Sequence, residues 1–180
     1  MTALETRVGT WRIDPAHSVA EFAVKHLVVS TVKGRFHELD GRIHLDEERP
    51  EASTVEARIG VASIDTGIGD RDAHLRSDDF FNAERHPYIT FRSRRVERVS
   101  DDEWRVTGDL TVRDITREVT LATRFEGRSH GTAGEVVAFT AETAISRKEF
   151  GLKWNAVLES GTVVVGDRVS VVLHIEAVRE

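Results

Sequence analysis

The chain has no cysteine. Disulfide frameworks, thiolate zinc sites, cysteine nucleophiles and iron–sulfur ligation are excluded, and the fold has to be held by its core. Proline is nearly as scarce, with Pro15, Pro50 and Pro87 scattered through 180 residues. No Gly/Ser-rich or low-complexity run suggests a linker, so residues 1–180 read as one domain. No stretch approaches the roughly 20 apolar residues of a membrane span. The opening MTALETRVGTWRIDP has no basic stretch followed by an apolar one, which predicts a cytoplasmic protein. Clusters of positive charge are lacking too. The net charge is −6, the pI is near 5.8, and Lys and Arg occur singly, which argues against a nucleic-acid groove or an anionic-membrane patch.

What the chain has in quantity is two-residue alternation. From His17 the run HSVAEFAVKH puts Ala20, Phe22 and Val24 on one face and Glu21 and Lys25 on the other, a half-buried strand. The same pattern recurs in Leu39, Gly41, Ile43 and Leu45, then Val55, Ala57, Ile59 and Val61, then Ile89 and Phe91. Further rows are Trp104, Val106, Leu110 and Val112; Val119, Leu121 and Phe125; Phe139, Ala141 and Ile145; and Val169, Val171, Leu173 and Ile175. Short polar turns such as Ser100-Asp101-Asp102-Glu103 separate several of them. About eight antiparallel strands, each with one wet face, predict an all-β sandwich or barrel, and closure favours the barrel because it removes exposed edges. No internal period points to a propeller or solenoid.

The stretch from Ser63 to Phe91 breaks the pattern. Gly67 and Gly69 supply bends, Asp70 reads as a helix N-cap, and one or two helical turns are predicted over Arg71 to Asp79, a short helical insert at about 70–80. Asp72 and Arg76 stand at i,i+4 in the favourable order. Leu75, Phe80 and Phe81 are able to dock the insert on a sheet or over a barrel mouth.

Catalytic and metal motifs are sparse. His37-Glu38 resembles the start of a zincin motif, but the next histidine is His44, seven residues on, and the segment reads as strand. His44 and His174 fall on solvated faces, and no metal site is expected. There is no Gly-x-Ser-x-Gly elbow, no phosphate loop and no dinucleotide fingerprint. Asp65, Arg71, Asp72 and His74 form the densest ionisable group, either a polar gate at a cavity rim or an ion-paired cap. The inward set of Phe22, Val24, Phe36, Ile43, Ile59, Phe91, Leu121, Phe125, Phe139 and Ile145 suits either a solid core or a cavity for one elongated ligand.

Several motifs together resemble a known family. They are Trp11-Arg12-Ile13-Asp14-Pro15-Ala16-His17-Ser18, Phe22-Ala23-Val24-Lys25-His26, Gly34-Arg35-Phe36 followed by Gly41, and Ser63-Ile64-Asp65-Thr66-Gly67. Arg71-Asp72-Ala73-His74-Leu75, Asp79-Phe80-Phe81, Pro87-Tyr88-Ile89-Thr90-Phe91, Gly108-Asp109-Leu110-Thr111-Val112 and Phe150-Gly151-Leu152 follow in order. Over nearly its whole length the chain resembles the YceI-like family, lipocalin-like proteins associated with polyisoprenoid binding. Asp114-Ile115-Thr116 departs from the glycine-valine-threonine of that pattern, a change that an Asp in a tight turn tolerates.

The resemblance implies an extended antiparallel lipocalin-like barrel around an apolar channel. It would bind, transport or store a polyprenyl lipid or isoprenoid quinone-like molecule, without catalytic residues or a cofactor. The inward residues above would form the walls, with Leu75 and Phe80 over the mouth and His26, Arg71 and His74 at the rim. Relatives often look periplasmic and many form dimers, so a homodimer is expected. Two alternatives share the same cavity: a hydrolase or isomerase acting on a lipid-like substrate, and a protein that sequesters a hydrophobic antibiotic.

Overall fold

The computed structural model describes residues 8–156, 160 and 164–180. Among the described residues eleven strands occur in this order: β1 Val8–Ile13, β2 Val19–His26, β3 Ser30–Phe36, β4 Leu39–Asp46, β5 Thr54–Gly60, β6 Ile64–Asp65, β7 Tyr88–Arg98, β8 Glu103–Val112, β9 Ile115–Gly131, β10 Gly134–Ser146 and β11 Val165–Arg179. One helix, α1 Gly69–Arg76, lies between β6 and β7. Each of the eight predicted rows lies in a strand, apart from Val61, which sits in a 3-10 turn at the end of β5.

Eight strands close a ring in the order β1-β4-β5-β7-β8-β9-β10-β11, with β11 pairing back to β1. The all-β, antiparallel lipocalin-like barrel with one short helix is therefore the architecture of the chain. β11 is long enough to serve two neighbours on one edge: Ala177 to Arg179 pair with β1, and Val165 to His174 pair with β2. From there β2, β3 and β6 extend the wall beyond the ring.

The jog between β1 and β2 explains the Ile13 to Ser18 motif. The Asp14 amide donates to the Glu176 carbonyl at 2.8 Å, and the Ser18 hydroxyl both donates to that carbonyl and accepts from the Glu176 amide. The Asp14 carboxylate accepts from the Ala16 amide at 2.9 Å and meets the His17 ring at 2.7 Å. These contacts let the chain leave one partner segment of β11 and join the next without orphaning backbone groups.

Two features missed by periodicity have clear causes. β1 has only Trp11 and Ile13 as buried positions, too few to show a period. β3 hides its inward row behind a glycine. Gly34 lies opposite Phe22, and a Cβ on it would come within 2.4 Å of Phe22 Cζ, so the neighbouring ring fills the space that a β3 side chain would otherwise take. Gly108 does the same for Phe91, whose Cζ would lie 2.7 Å from an added Cβ.

Two clusters form the core. One gathers Ala20, Phe36, Val61, Ile64, Ile89, Val112, Phe150 and Leu152. The other gathers Trp11, Ile13, Leu39, Ile43, Val137 and Ala177.

Candidate functional site

The barrel has two unlike ends. At one lie α1, the β2–β3 hairpin, the β8–β9 turn and residues 147–156; at the other lie the β4–β5 connection and the β7–β8 and β9–β10 hairpins. The helical insert caps the first end. α1 has only eight residues, too few to persist alone, and its side chains supply what holds it. Asp72 is buried and its carboxylate accepts from both the amide and the hydroxyl of Thr66, at 2.8 and 2.5 Å. Arg71 donates to the Thr66 hydroxyl at 2.7 Å and carbonyl at 2.8 Å. Thr66 is thus gripped from both sides, fixing the loop before the helix to its first turns.

This corrects three expectations. The helix begins at Gly69 with Ile68 as N-cap, so Asp70 lies inside its first turn, and it ends at Arg76, short of Asp79. The Asp72 carboxylate is spent on Thr66, and no ion pair to Arg76 forms among the described residues. His74 packs its ring edge-on against Phe80 and Trp154, with centroids at 5.2 and 4.6 Å, and meets the Asp79 carboxylate at 2.8 Å. Arg113, in the left-handed region at φ 57°, turns β8 into β9 and donates to the Phe80 carbonyl and the Asp78 carboxylate. The cap is therefore tied to two parts of the rim.

Beneath the cap lies a cavity of about 280 Å³ that runs from Leu75, Phe80, Phe81 and Leu152 to Pro50, Ser53, Trp104 and Thr123 at the far end. The interior is hollow, so the inward rows form a wall around open space. Of the residues singled out from the sequence, Phe22, Val24, Phe36, Ile43, Ile59, Leu75, Phe80, Phe91, Leu121, Phe139 and Ile145 line it. Phe22 and Phe36 are 5.5 Å apart, and Phe81 stands edge-on to Phe36 at 5.7 Å, so three rings close the wall beneath the cap.

Four of the sequence-derived residues lie off the cavity wall. Arg71 and His74 hold the cap as described. His26 ends β2, paired in register with Ser30 and Val165. Phe125 packs against Phe139 at 5.5 Å and against the second core cluster, where β9 and β10 slip register at Ala138/Phe139.

The sequence reading passed over Arg147, and it placed Trp104 in an inward row without foreseeing its unpaired donor. Arg147 continues the inward row Phe139, Ala141, Thr143, Ile145 past the end of β10, and an arginine in that phase was the available signal. It is 3 % exposed, and its guanidinium donates to the carbonyls of Leu152, Trp154, Gly166 and Val165 at 2.6–3.2 Å. Burial pushes it below the usual guanidinium range. The group stitches 152–154 to the start of β11. Asp167 beside it is held below the usual carboxylate range, first by the hydrogen bond from the Ser146 hydroxyl at 2.7 Å. Trp104, at the opposite end of the cavity, has a buried indole Nε1 with no hydrogen-bond partner among the described residues. A buried donor left unpaired costs about 1–3 kcal/mol.

Several ionisable groups outside the barrel are paired with one another. Asp14 and His17 shift in opposite directions, Asp14 down and His17 up, each chiefly through their shared hydrogen bond. Asp65 is lowered mainly by His37, whose ring lies 3.1 Å away. These contacts secure turns.

Comparison with known proteins agrees with this geometry. Protein YceI of Escherichia coli is 38% identical over 138 residues, covering 76% of this chain and 72% of that protein. The crystal structure of Burkholderia cenocepacia BcnA shares the fold with a TM-score of 0.80 at 21% identity, covering 91% of this chain and 98% of that one. A polyisoprenoid binding domain from Saccharophagus degradans, implicated in plant cell wall breakdown, shares it with a TM-score of 0.70 at 16% identity, covering 96% and 99%. The model of the YceI-like domain matches residues 11–177, from the first buried tryptophan to the closure of β11, and the chain belongs to the YceI-like family.

Proposed function

We propose that the protein binds a long apolar isoprenoid, a polyprenyl lipid or isoprenoid quinone-like molecule, along the barrel interior, and acts as a carrier or store without turning it over. The observation that carries the reading is the cavity itself: a space walled by aliphatic and aromatic side chains from every strand of the ring, its lining almost wholly apolar. Each buried CH₂ contributes about 0.8 kcal/mol, so a polyprenyl tail in such a tube binds without many hydrogen bonds. The unpartnered Trp104 N–H favours a ligand with one acceptor oxygen, such as a quinone carbonyl, over a bare hydrocarbon. The polyisoprenoid binding domain that shares the fold supports the ligand class.

Organic extraction of the purified protein followed by mass spectrometry tests the proposal, together with uptake of an added isoprenoid quinone. Ile59→Trp and Ala141→Phe, which fill the cavity from β5 and β10, are expected to lower uptake at least about tenfold. Retention of no isoprenoid, native or added, refutes the binding role. Conversion of a bound lipid to a product refutes the carrier role and leaves the binding intact. The proposal includes a cytoplasmic homodimer, which sedimentation at micromolar concentration and cell fractionation check.

A further inference from the structure

The chain has four lysines, and they gather at one end of the barrel. Lys25 and Lys33 lie on the β2–β3 hairpin, Lys148 opens the 3-10 turn that follows β10, and Lys153 comes three residues after that turn. All four are exposed. Lys25 backs onto Gly166, which brings the hairpin against the start of β11 and the segment that Arg147 stitches down.

The lysines differ from the other cations in their partners. Every ion pair among the described residues uses an arginine or a histidine, and most of these pairs lie on the outer wall. None of the four lysines has a carboxylate within ion-pair distance among the described residues. Lys25 donates only to the Thr31 hydroxyl, and Lys148 feels Asp167 from farther off. The hairpin from Phe22 to His37 carries Lys25, Lys33 and Arg35 and no acidic residue, in a chain of net charge −6. Nearby carboxylates are engaged: Asp65 by His37, Asp72 by Thr66, Asp78 by Arg113 and Asp79 by His74. Asp70 on α1, Glu84 before β7, Asp114 in the β8–β9 turn and Glu149 beside Lys148 are the exposed acidic side chains at this end without an ion pair among the described residues, and none of them lies on the hairpin.

The tip of the same hairpin is apolar. Val29 is 84% exposed and Val28 64%, the two highest values among the large apolar side chains described. The turn also works against its own backbone. Leu27 and Val28 have φ of 52° and 68°, a left-handed pair that asparagine and glycine suit and that a β-branched residue rarely adopts. Apolar side chains therefore occupy a solvent-facing turn for which small polar residues are the better fit.

We propose that this end of the barrel docks on an anionic phospholipid bilayer, Val28 and Val29 entering the head-group region while Lys25, Lys33, Lys148 and Lys153 meet lipid phosphates. An ammonium without a carboxylate partner gives up no ion pair when it reaches a phosphate. The site adjoins the cavity end lined by Val24, Leu152 and Val165, so docking sets the interior beside the lipid from which an apolar ligand would come. The docking itself stands on charge and exposure, independent of what the cavity holds.

Co-sedimentation with isoprenoid-free vesicles tests it and separates its failure from that of the binding reading. Vesicles of phosphatidylcholine mixed with phosphatidylglycerol are expected to pull the protein down, pure phosphatidylcholine far less, and binding should weaken as salt rises. Replacing all four lysines by glutamine should lower partitioning at least about 100-fold. Val28→Asn with Val29→Ser should lower it about tenfold, and Asn suits the left-handed turn, so the melting temperature should hold or rise. Arg92→Gln, which breaks a wall ion pair, should leave partitioning unchanged. No binding, equal binding to neutral vesicles, or variants that bind like the parent would each overturn the proposal.

Discussion

Gly34→Ala tests how the cavity wall is built. Gly34 faces Phe22 directly across the β2–β3 ladder, and a Cβ there would lie 2.4 Å from Phe22 Cζ, 2.9 Å from Cε1 and 2.9 Å from Thr66 Cγ2. Non-bonded carbons meet at about 3.5–4.0 Å, so the ring tip has to move by about 1 Å or more. All three contacts are side-chain atoms, so the ladder is able to stay in register while the ring yields. Phe36 blocks one side at 5.5 Å, and the free direction is the cavity that Phe22 lines. Overpacking of this kind costs about 1–3 kcal/mol, and in a domain of this size each kcal/mol lowers Tm by about 2–4 °C. Thermal unfolding by circular dichroism and titration with an isoprenoid quinone should show a lower Tm and uptake weakened about tenfold. Adding Phe22→Leu, which shortens the obstructing side chain, should recover most of the lost stability. If Gly34→Ala melts with the parent, or if Phe22→Leu fails to relieve it, the close packing of ring on glycine is not what holds this part of the wall.

Arg147→Lys keeps a charge but loses the planar fork that reaches four carbonyls, so it should destabilise the protein by about 2–4 kcal/mol and open 152–154 and the start of β11 to limited proteolysis; an unchanged digestion pattern would exclude the stitching role. Trp104→Phe removes the orphan donor and should leave Tm unchanged or higher, while weakening a quinone about tenfold and leaving a polyprene hydrocarbon unaffected; equal loss for both ligands would refute a hydrogen bond to the ligand. His17 should titrate above the usual histidine value of about 6.5 in an NMR pH series, and Asp14→Asn should bring it back down. Because the His17 value is raised, its contribution is full below the unfolded value and fades as pH climbs through the folded one. The lowered Asp14 value makes its part fade as pH falls through that value, so the jog is tightest in mildly acidic solution. A His17 titration at the unshifted value in the parent would remove that coupling.

The wall of the barrel was legible because a strand's side chains alternate with period two. A row such as Val169, Val171, Leu173 and Ile175 declares its inward face without any knowledge of its neighbours. The same rule read most of the cavity lining. It failed where one strand borrows a side chain from another, as β3 borrows the Phe22 ring over Gly34, because the space-filling atoms then sit elsewhere in the chain. It also left Arg71 and His74 open to a role at the rim. Their hydrogen bonds to Thr66 and Asp79 depend on how the loop before the helix folds back.

By itself, then, the sequence determined an all-β chain, the faces of its strands, the position of the helical insert and the family to which it belongs. These follow from local stereochemistry and ordered motifs. Whether the inward rows meet or stand apart was decided only in three dimensions, because the girth of a closed sheet depends on strand number and register, which no single strand encodes. Tertiary structure also placed a buried arginine at one end of the cavity and an unpartnered indole at the other. It brought together lysines from β2, β3 and the segment after β10, which read as scattered charges along the chain and become one unpaired cluster beside an apolar tip when β11 packs against β2.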